Sequence, residues 1–245
     1  MNYKVYLSTK IDPKKLKNGS GILVLEPDDY TDTTIKKIKG KGYKVLGYIS
    51  IGTIEKERSW YRTYKEYGLK KLEDWPNEVY ADMKADAWQR FLLSRAEAIK
   101  KKGFDGWWCD NLDVYEYYKS EEMFKACKKV LTEIKKLGGY VMVNGGSEFW
   151  DVSMDNNVQI SGFVNGVTQE EVFSRITSYK GSGKFGTQKA ADSKFYKKIL
   201  QKLLKNSVQT FLLEYTKQEA LKKRIKAWCK AEKMTGYYIS GNVDL

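Results

Sequence analysis

The residues best placed to do chemistry are carboxylates that follow short apolar runs. In GFDGWWCDNLDVYEYY, which begins at Gly103, Asp110 ends the run Trp107-Trp108-Cys109 and is followed by Asn111 and Asp113. A carboxylate at the end of a buried run costs several kcal/mol unless a donor or ligand compensates it, so Asp110 is a candidate for a site. Asp113 is either a second site residue or the cap of the next turn. In SGFVNGVTQEEVF, Glu170 and Glu171 follow another apolar run. Adjacent residues cannot share a face, so at most one serves a site, and glutamates also favour helix starts for dipole reasons. GYISIGTIEKERSW supplies Tyr48, Glu55, Glu57 and Arg58, whose guanidinium either orients a carboxylate or joins a surface ion pair. VLEPDDY adds Glu26, Asp28 and Asp29, VMVNGG adds Asn144, and LLEYT adds Glu214 and Tyr215.

The chain has 245 residues and no histidine. That excludes Ser-His-Asp and Cys-His catalysis, HExxH zinc sites and a proximal haem histidine. Glycoside hydrolysis needs neither histidine nor metal: one carboxyl group protonates the leaving oxygen and a second acts as nucleophile or base. A rival is a Mg²⁺ or Ca²⁺ site built on Asp110 and Asp113 for phosphoester chemistry, which the generic spacing DNLD does not decide. Seven Trp and 18 Tyr, many near the same run ends, suit a sugar-binding cleft, although each ring alone suits a core or loop anchor equally well.

Elements that bring these run ends together are legible as short apolar runs alternating with amphipathic helical stretches. Strands are expected over residues 4–8, 21–25, 44–51, 104–109, 140–144, 162–165, 210–215 and 236–239. Helices are expected over 32–39, 85–102, 121–137, 192–205 and 218–233. Eight strands with intervening helices predict a single-domain (β/α)8 TIM barrel, whose active face lies at the strand C-termini. Two long stretches, 58–80 and 177–191, follow strand C-termini and predict loop insertions on that face. The second contains KGSGKFG, which fails the Walker A pattern and reads as a mobile Gly/Ser-rich loop.

The net charge is +13, and residues 189–233 alone hold 13 Lys+Arg against 4 Asp+Glu. There the lysines punctuate an apolar series of helical period, which predicts a solvated outer face in preference to a polyanion-binding surface. Cys109, Cys127 and Cys229 have no CxxC spacing and read as reduced core cysteines. No stretch of about 18 apolar residues predicts a membrane span, and the first ten residues show no export signal.

The series from VLGYISIGTIEKERSWY through GFDGWWCDNLDVYEYY to NGVTQEEVF resembles glycoside hydrolase family 114, the endo-α-1,4-polygalactosaminidase-like (β/α)8 barrels, from about Gly21 to Phe173. Its most specific element is GFDGxxxDNxD, reinforced by an upstream YxSIGxxExxR. The resemblance implies that Asp110 is the catalytic nucleophile. In a GVxxExxF-like segment Gly166, Val167, Glu170 and Phe173 match, so Glu170 rather than Glu171 is implied as general acid/base. Glu26, Tyr48, Arg58, Asp113, Asn144 and Tyr215 are expected to bind substrate, with no metal and no cofactor. This chain departs from the pattern at Gly52-Thr53-Ile54-Glu55, where relatives tend to carry GEAE, and at Glu26, where an aspartate is common. The implied substrate is an α-linked galactosamine or N-acetylgalactosamine polysaccharide cut by a monomer, in a location the sequence leaves open; relatives are often secreted. No nucleic-acid partner is expected. A barrel that has lost hydrolysis and binds a glycan or polyanion is the alternative.

Overall fold

A computed structural model describes residues 1–72 and 75–245. Among these, eight parallel strands form one sheet in chain order: β1 (Tyr3–Tyr6), β2 (Gly21–Leu25), β3 (Tyr43–Ser50), β4 (Gly106–Asp110), β5 (Tyr140–Asn144), β6 (Gly166–Glu170), β7 (Gln209–Tyr215) and β8 (Gly236–Ser240). A parallel bridge between Asn2 and Tyr237 brings the two edges together, so the barrel is nearly closed. Parallel neighbours require crossover connections. The main helices in them are α1 (Asp32–Lys39), α2 (Asp86–Lys101), α3 (Glu121–Lys136), α4 (Ser147–Asp155), α5 (Ala190–Lys205) and α6 (Glu219–Ala231).

The helices follow from their sequences. In α3, Met123, Ala126, Cys127, Val130, Leu131 and Ile134 recur at three- and four-residue spacing and are buried. Ser120 caps the helix by accepting the Met123 N–H at 3.1 Å, while Glu121 and Glu122 sit at the positive end and Lys135 and Lys136 at the negative end.

Strand alternation decides what enters the barrel. Tyr3, Val5, Ile22, Val24, Leu46, Tyr48, Trp108, Met142, Phe211, Leu213 and Tyr215 pack together as its interior. The intervening Leu23, Val45, Trp107, Cys109, Val141 and Val143 pack against the helices. Continued by one more step of two, the same alternation carries Asp110, Asn144 and Glu170 to the top of the interior. At the opposite end Asp105 accepts the Val45 N–H at 2.8 Å and pairs with Lys39 at 2.7 Å, a structural role at the helix-to-strand turn.

Three expectations are corrected. The sixth strand is Gly166–Glu170, not 162–165. Phe163 and Val164 are buried against the helical layer, and Asn165 ties the approach to β5 by accepting the Val141 N–H at 2.9 Å. Among the described residues the insertion after β3 contains a three-stranded sheet, in which Thr53–Glu55 and Gly68–Lys71 both pair antiparallel with Glu78–Ala81. KGSGKFG supplies the turn and most of the return strand of a second hairpin, Ser174–Ser178 with Lys184–Thr187, and Gly181 and Gly183 take the left-handed conformations the turn requires. The helix α4 was not expected. All three cysteines are buried and free. Among the described residues no helix is long and apolar enough to cross a membrane.

Candidate active site

Asp110 and Glu170 end β4 and β6, and Asn144 ends β5 between them. The Asn144 side-chain Nδ2 donates to Asp110 Oδ1 at 3.0 Å and to Glu170 Oε1 at 2.6 Å. One amide nitrogen therefore holds both carboxyl groups. The Tyr215 hydroxyl donates to the other Glu170 oxygen at 2.6 Å, and the Asn111 N–H donates to Asp110 Oδ1 at 2.9 Å. Asn144 Oδ1 is buried without a hydrogen-bond partner among the described residues, which leaves an acceptor beside the pair. Burial, followed by the charge of Glu170, pushes the Asp110 carboxyl up to about 7. Burial also raises Glu170, against the pull of its Tyr215 and Asn144 donors. Both shifts favour a pair that keeps a proton to higher pH than free carboxylates do, with an acid and a base in contact with the same amide.

The wall beside Asp110 is built by β3 and the insertion that follows it. Arg58 donates from Nε to Glu55 Oε2 at 2.9 Å and from Nη2 to Glu26 Oε2 at 2.8 Å, so the guanidinium ties the end of β2 to the insertion. Tyr48 extends from the barrel interior toward Glu55, with its hydroxyl 3.5 Å from Oε1. Glu78 accepts from Thr53 Oγ1 at 2.6 Å, Thr53 and Ser50 hydroxyls are 2.6 Å apart, and Asn111 Nδ2 reaches both at 3.0 and 3.1 Å. Burial raises the Glu78 carboxyl to about 7. Asn111 itself is left-handed, with φ 66°, and its carbonyl lies where a Cβ on Gly52 would be 1.8 Å away. The glycine of SIG is thus required by the close approach of the chain that follows Asp110.

Asp113 lines the same cleft, and its Oδ1 accepts the Gly146 N–H at 2.8 Å, at the start of α4. Glu116 accepts from the Ser147 hydroxyl at 3.0 Å and the Glu148 N–H at 3.3 Å. Two carboxylates from one turn thereby cap a helix that has no capping side chain of its own. Burial raises Asp113 to about 6 and Glu116 to about 7.

Asp28, Asp29 and Glu57 do not line the cleft, nor do Glu171 and Glu214. Glu171 is left-handed, with φ 56°, and its carboxylate accepts the Ile176 N–H at the base of the second hairpin. Glu214 points out of the barrel and is fully buried, where it accepts from the Phe173 and Ser174 N–H groups at 3.0 and 2.8 Å and from the Ser174 hydroxyl at 2.6 Å. Its neighbour Tyr215 faces inward and takes the site role. All eight residues expected at the site, Glu26, Tyr48, Arg58, Asp110, Asp113, Asn144, Glu170 and Tyr215, line one cleft of about 420 Å³.

Glu78 and Tyr179, which also line it, were not singled out from sequence. Glu78 arrives by antiparallel pairing with Glu55 and Tyr179 from the second hairpin. The two insertions touch there: the rings of Trp75 and Tyr179 meet edge to face at 5.1 Å. No group of three or more acidic or thiol side chains among the described residues is arranged to hold a metal ion.

The sequence matches the profile of glycoside-hydrolase family GH114 over residues 1–240. The chain belongs to this family. GH114 membership agrees with the fold neighbours. The glycoside hydrolase domain of PelA from Pseudomonas aeruginosa superposes with a TM-score of 0.80 at 17% identity, covering 99% of this chain and 96% of that one. Aspergillus fumigatus Ega3, in complex with galactosamine, gives 0.74 at 15% identity over 99% and 91%. An uncharacterized protein of Thermotoga maritima is 25% identical over 133 residues, which is 51% of this chain and 40% of that protein. A second, from Deinococcus radiodurans, is 27% identical over 104 residues, 39% and 34% of the two chains. The match therefore spans less than half the length of these two relatives.

Proposed function

We propose that this GH114 chain is a retaining glycoside hydrolase that cleaves an α-linked galactosamine-containing polysaccharide, with Asp110 as nucleophile and Glu170 as general acid/base. The observation that carries the reading is the shared Asn144 nitrogen. Two bonds of 3.0 and 2.6 Å to one atom leave the acceptor oxygens no further apart than the sum of those lengths. Separations of about 5–5.5 Å suit a retaining pair, whereas an inverting pair needs about 6.5–9.5 Å to admit water.

In the first step Glu170 gives its proton to the glycosidic oxygen as Asp110 attacks the anomeric carbon from the opposite face; the glycosidic C–O bond breaks and a glycosyl ester forms. In the second, Glu170 takes a proton from water, the water oxygen attacks the anomeric carbon, and the ester bond to Asp110 breaks. Asn144 and Tyr215 hold the pair in place through both steps. The orphan Asn144 Oδ1 is free to accept a hydroxyl or ammonium hydrogen of the bound sugar.

The cleft's charge supports an amino sugar. Among the described residues, seven carboxyl side chains line it with a single cationic one, Arg58, which is already engaged by Glu26 and Glu55. A protein of net charge +13 thus presents an acidic mouth, and a deacetylated, cationic chain is attracted to the mouth whatever the outer helices carry. That Ega3 holds galactosamine in the same fold supports the same sugar class.

Reducing ends released from partly deacetylated α-1,4-galactosamine polymer provide the test, with product anomers followed by NMR. The wild type should release ends with retained configuration, and Asp110→Asn should release none. Azide added to Asp110→Gly should return a glycosyl azide of inverted configuration, whereas azide added to Glu170→Ala should return one of retained configuration. Full activity in Asp110→Asn overturns the assignment.

A further inference from the structure

A second concave surface lies outside the barrel, between α5 and α6, with a volume of about 710 Å³. One face of α5 presents Lys194, Lys197 and Lys198 to it, and one face of α6 presents Arg224 and Trp228. These spacings of three and four residues place the side chains in register along each helix. No carboxylate lines the groove, and among the described residues none of its four cations makes an ion pair. Two cations outside the groove on the same helices do have partners: Lys202 pairs with Asp151 at 2.7 Å and Lys222 with Glu219 at 2.8 Å.

The groove also has an aromatic floor. The Lys197 ammonium stands 3.9 Å from the centre of the Phe173 ring and 5.9 Å from that of Trp228. It is therefore held inward over the rings, where burial and the neighbouring Arg224 lower its affinity for the proton. The buried Glu214 carboxylate offsets this only in part and makes no ion pair with Lys197, so a cation kept there favours an arriving anion. Gln201 and Ser193 on the α5 face offer hydrogen bonds to hydroxyl groups.

We propose that the groove between α5 and α6 binds an acidic polysaccharide, with its carboxylates on Lys194, Lys197, Lys198 and Arg224 and a sugar face against Trp228. The combination favours a saccharide over a nucleic acid. Phe173 is buried and its face is covered by Lys197, so the groove lacks the open series of rings on which successive bases stack. The Gln201 amide and the Ser193 hydroxyl beside the cations match a sugar acid instead. The surface is separate from the barrel mouth, so its occupation does not require hydrolysis, and it takes a ligand of opposite charge.

Binding of the full chain to polygalacturonate, with dextran as neutral control and single-stranded DNA as a second polyanion, tests the proposal. The triple variant Lys194→Gln/Lys197→Gln/Arg224→Gln should weaken polygalacturonate binding about tenfold or more. Lys223→Gln/Lys226→Gln/Lys230→Gln removes the same number of charges from α6 outside the groove and should change it less than about threefold. Wild-type affinity should fall steeply between about 50 and 200 mM salt, and dextran should not bind. Lys194→Gln/Arg224→Gln, confined to exposed side chains, serves if the Lys197 substitution lowers the melting temperature. Equal losses in the two triple variants, absence of binding at low salt, or tighter binding of single-stranded DNA through the same residues would each overturn the proposal.

Discussion

At the barrel mouth, carboxylates crowd together below the rim and most have one or two donors apiece; on the outer side of α5 and α6, beyond the groove between them, lysines stand apart on solvated faces. Asp110, Asp113 and Glu170 take hydrogen bonds from Asn144, Gly146 and Tyr215 as neutral donors, and among the described residues of the cleft only Arg58 supplies positive charge. Water screens the exposed lysines outside the groove. Burial leaves Asp110, Asp113 and Glu170 short of solvation and raises their proton affinity. Charge on a solvated face thus has little consequence, whereas charge held in a pocket is the pocket's working property.

Breaking the mouth should have the largest effect. Asp110→Asn should lower hydrolysis by about 10⁴-fold or more in a reducing-end assay while leaving the circular dichroism spectrum unchanged. Glu170→Gln is expected to lose about 10²–10⁴-fold, less with substrates whose leaving group needs no proton. Asn144→Ala removes the donor common to both carboxyls. A loss of about 10²–10³-fold in kcat, together with a shift of the pH–rate limbs, would separate a positioning role from simple packing.

Stability should sharpen the contrast in the opposite direction. Asp110, Asp113, Glu78, Glu116 and Glu214 all have folded-state values raised by burial to between about 6 and 7. The folded chain then binds more protons than the unfolded one between about pH 4 and 7. These groups cost no stability below that window, and stability falls as pH rises through it. Asp110→Asn should accordingly raise the melting temperature at pH 8, by about 2–4 °C per kcal/mol of relieved repulsion, and do nothing at pH 4. A melting temperature that falls at pH 8 would show that Asp110 stabilises the fold. Smaller still, Trp75→Ala should raise KM by about 2- to 10-fold with kcat nearly unchanged, as expected for a lost sugar-facing ring worth about 0.5–1.5 kcal/mol. The smallest effect belongs to the outer layer: Lys223→Gln/Lys226→Gln/Lys230→Gln should leave both hydrolysis and melting temperature almost unaltered, within about 0.5 kcal/mol.

The barrel was legible because its strands alternate cleanly below the mouth, where both faces are apolar. At β6 the signal failed: Gln169 and Glu170 are polar because they line the cleft, Thr168 lies in the barrel interior beside the Tyr3 hydroxyl, and the apolar pair Phe163-Val164 just before the strand packs under the helices. That slip also hid the argument that separates the two glutamates. With the strand at Gly166–Glu170, Gly166, Thr168 and Glu170 share the inward face and Glu171 does not. Helix α4 went unseen because its caps, Asp113 and Glu116, lie more than thirty residues upstream. Glu78 reaches the cleft only through its pairing with Glu55, which no local pattern announces.

The three cysteines bear on where such a protein can be made. Each is buried and unpaired, and burial pushes the Cys127 and Cys229 thiols up to about 12 and Cys109 higher than its ordinary value. Thiolate is the reactive species, so these sulfurs are poor substrates for oxidants and for disulfide exchange while the fold is intact. No crosslink has to form for the barrel to close. The described fold is therefore indifferent to redox potential, and the same native state should be reached in a reducing cytosol and in an oxidising exterior.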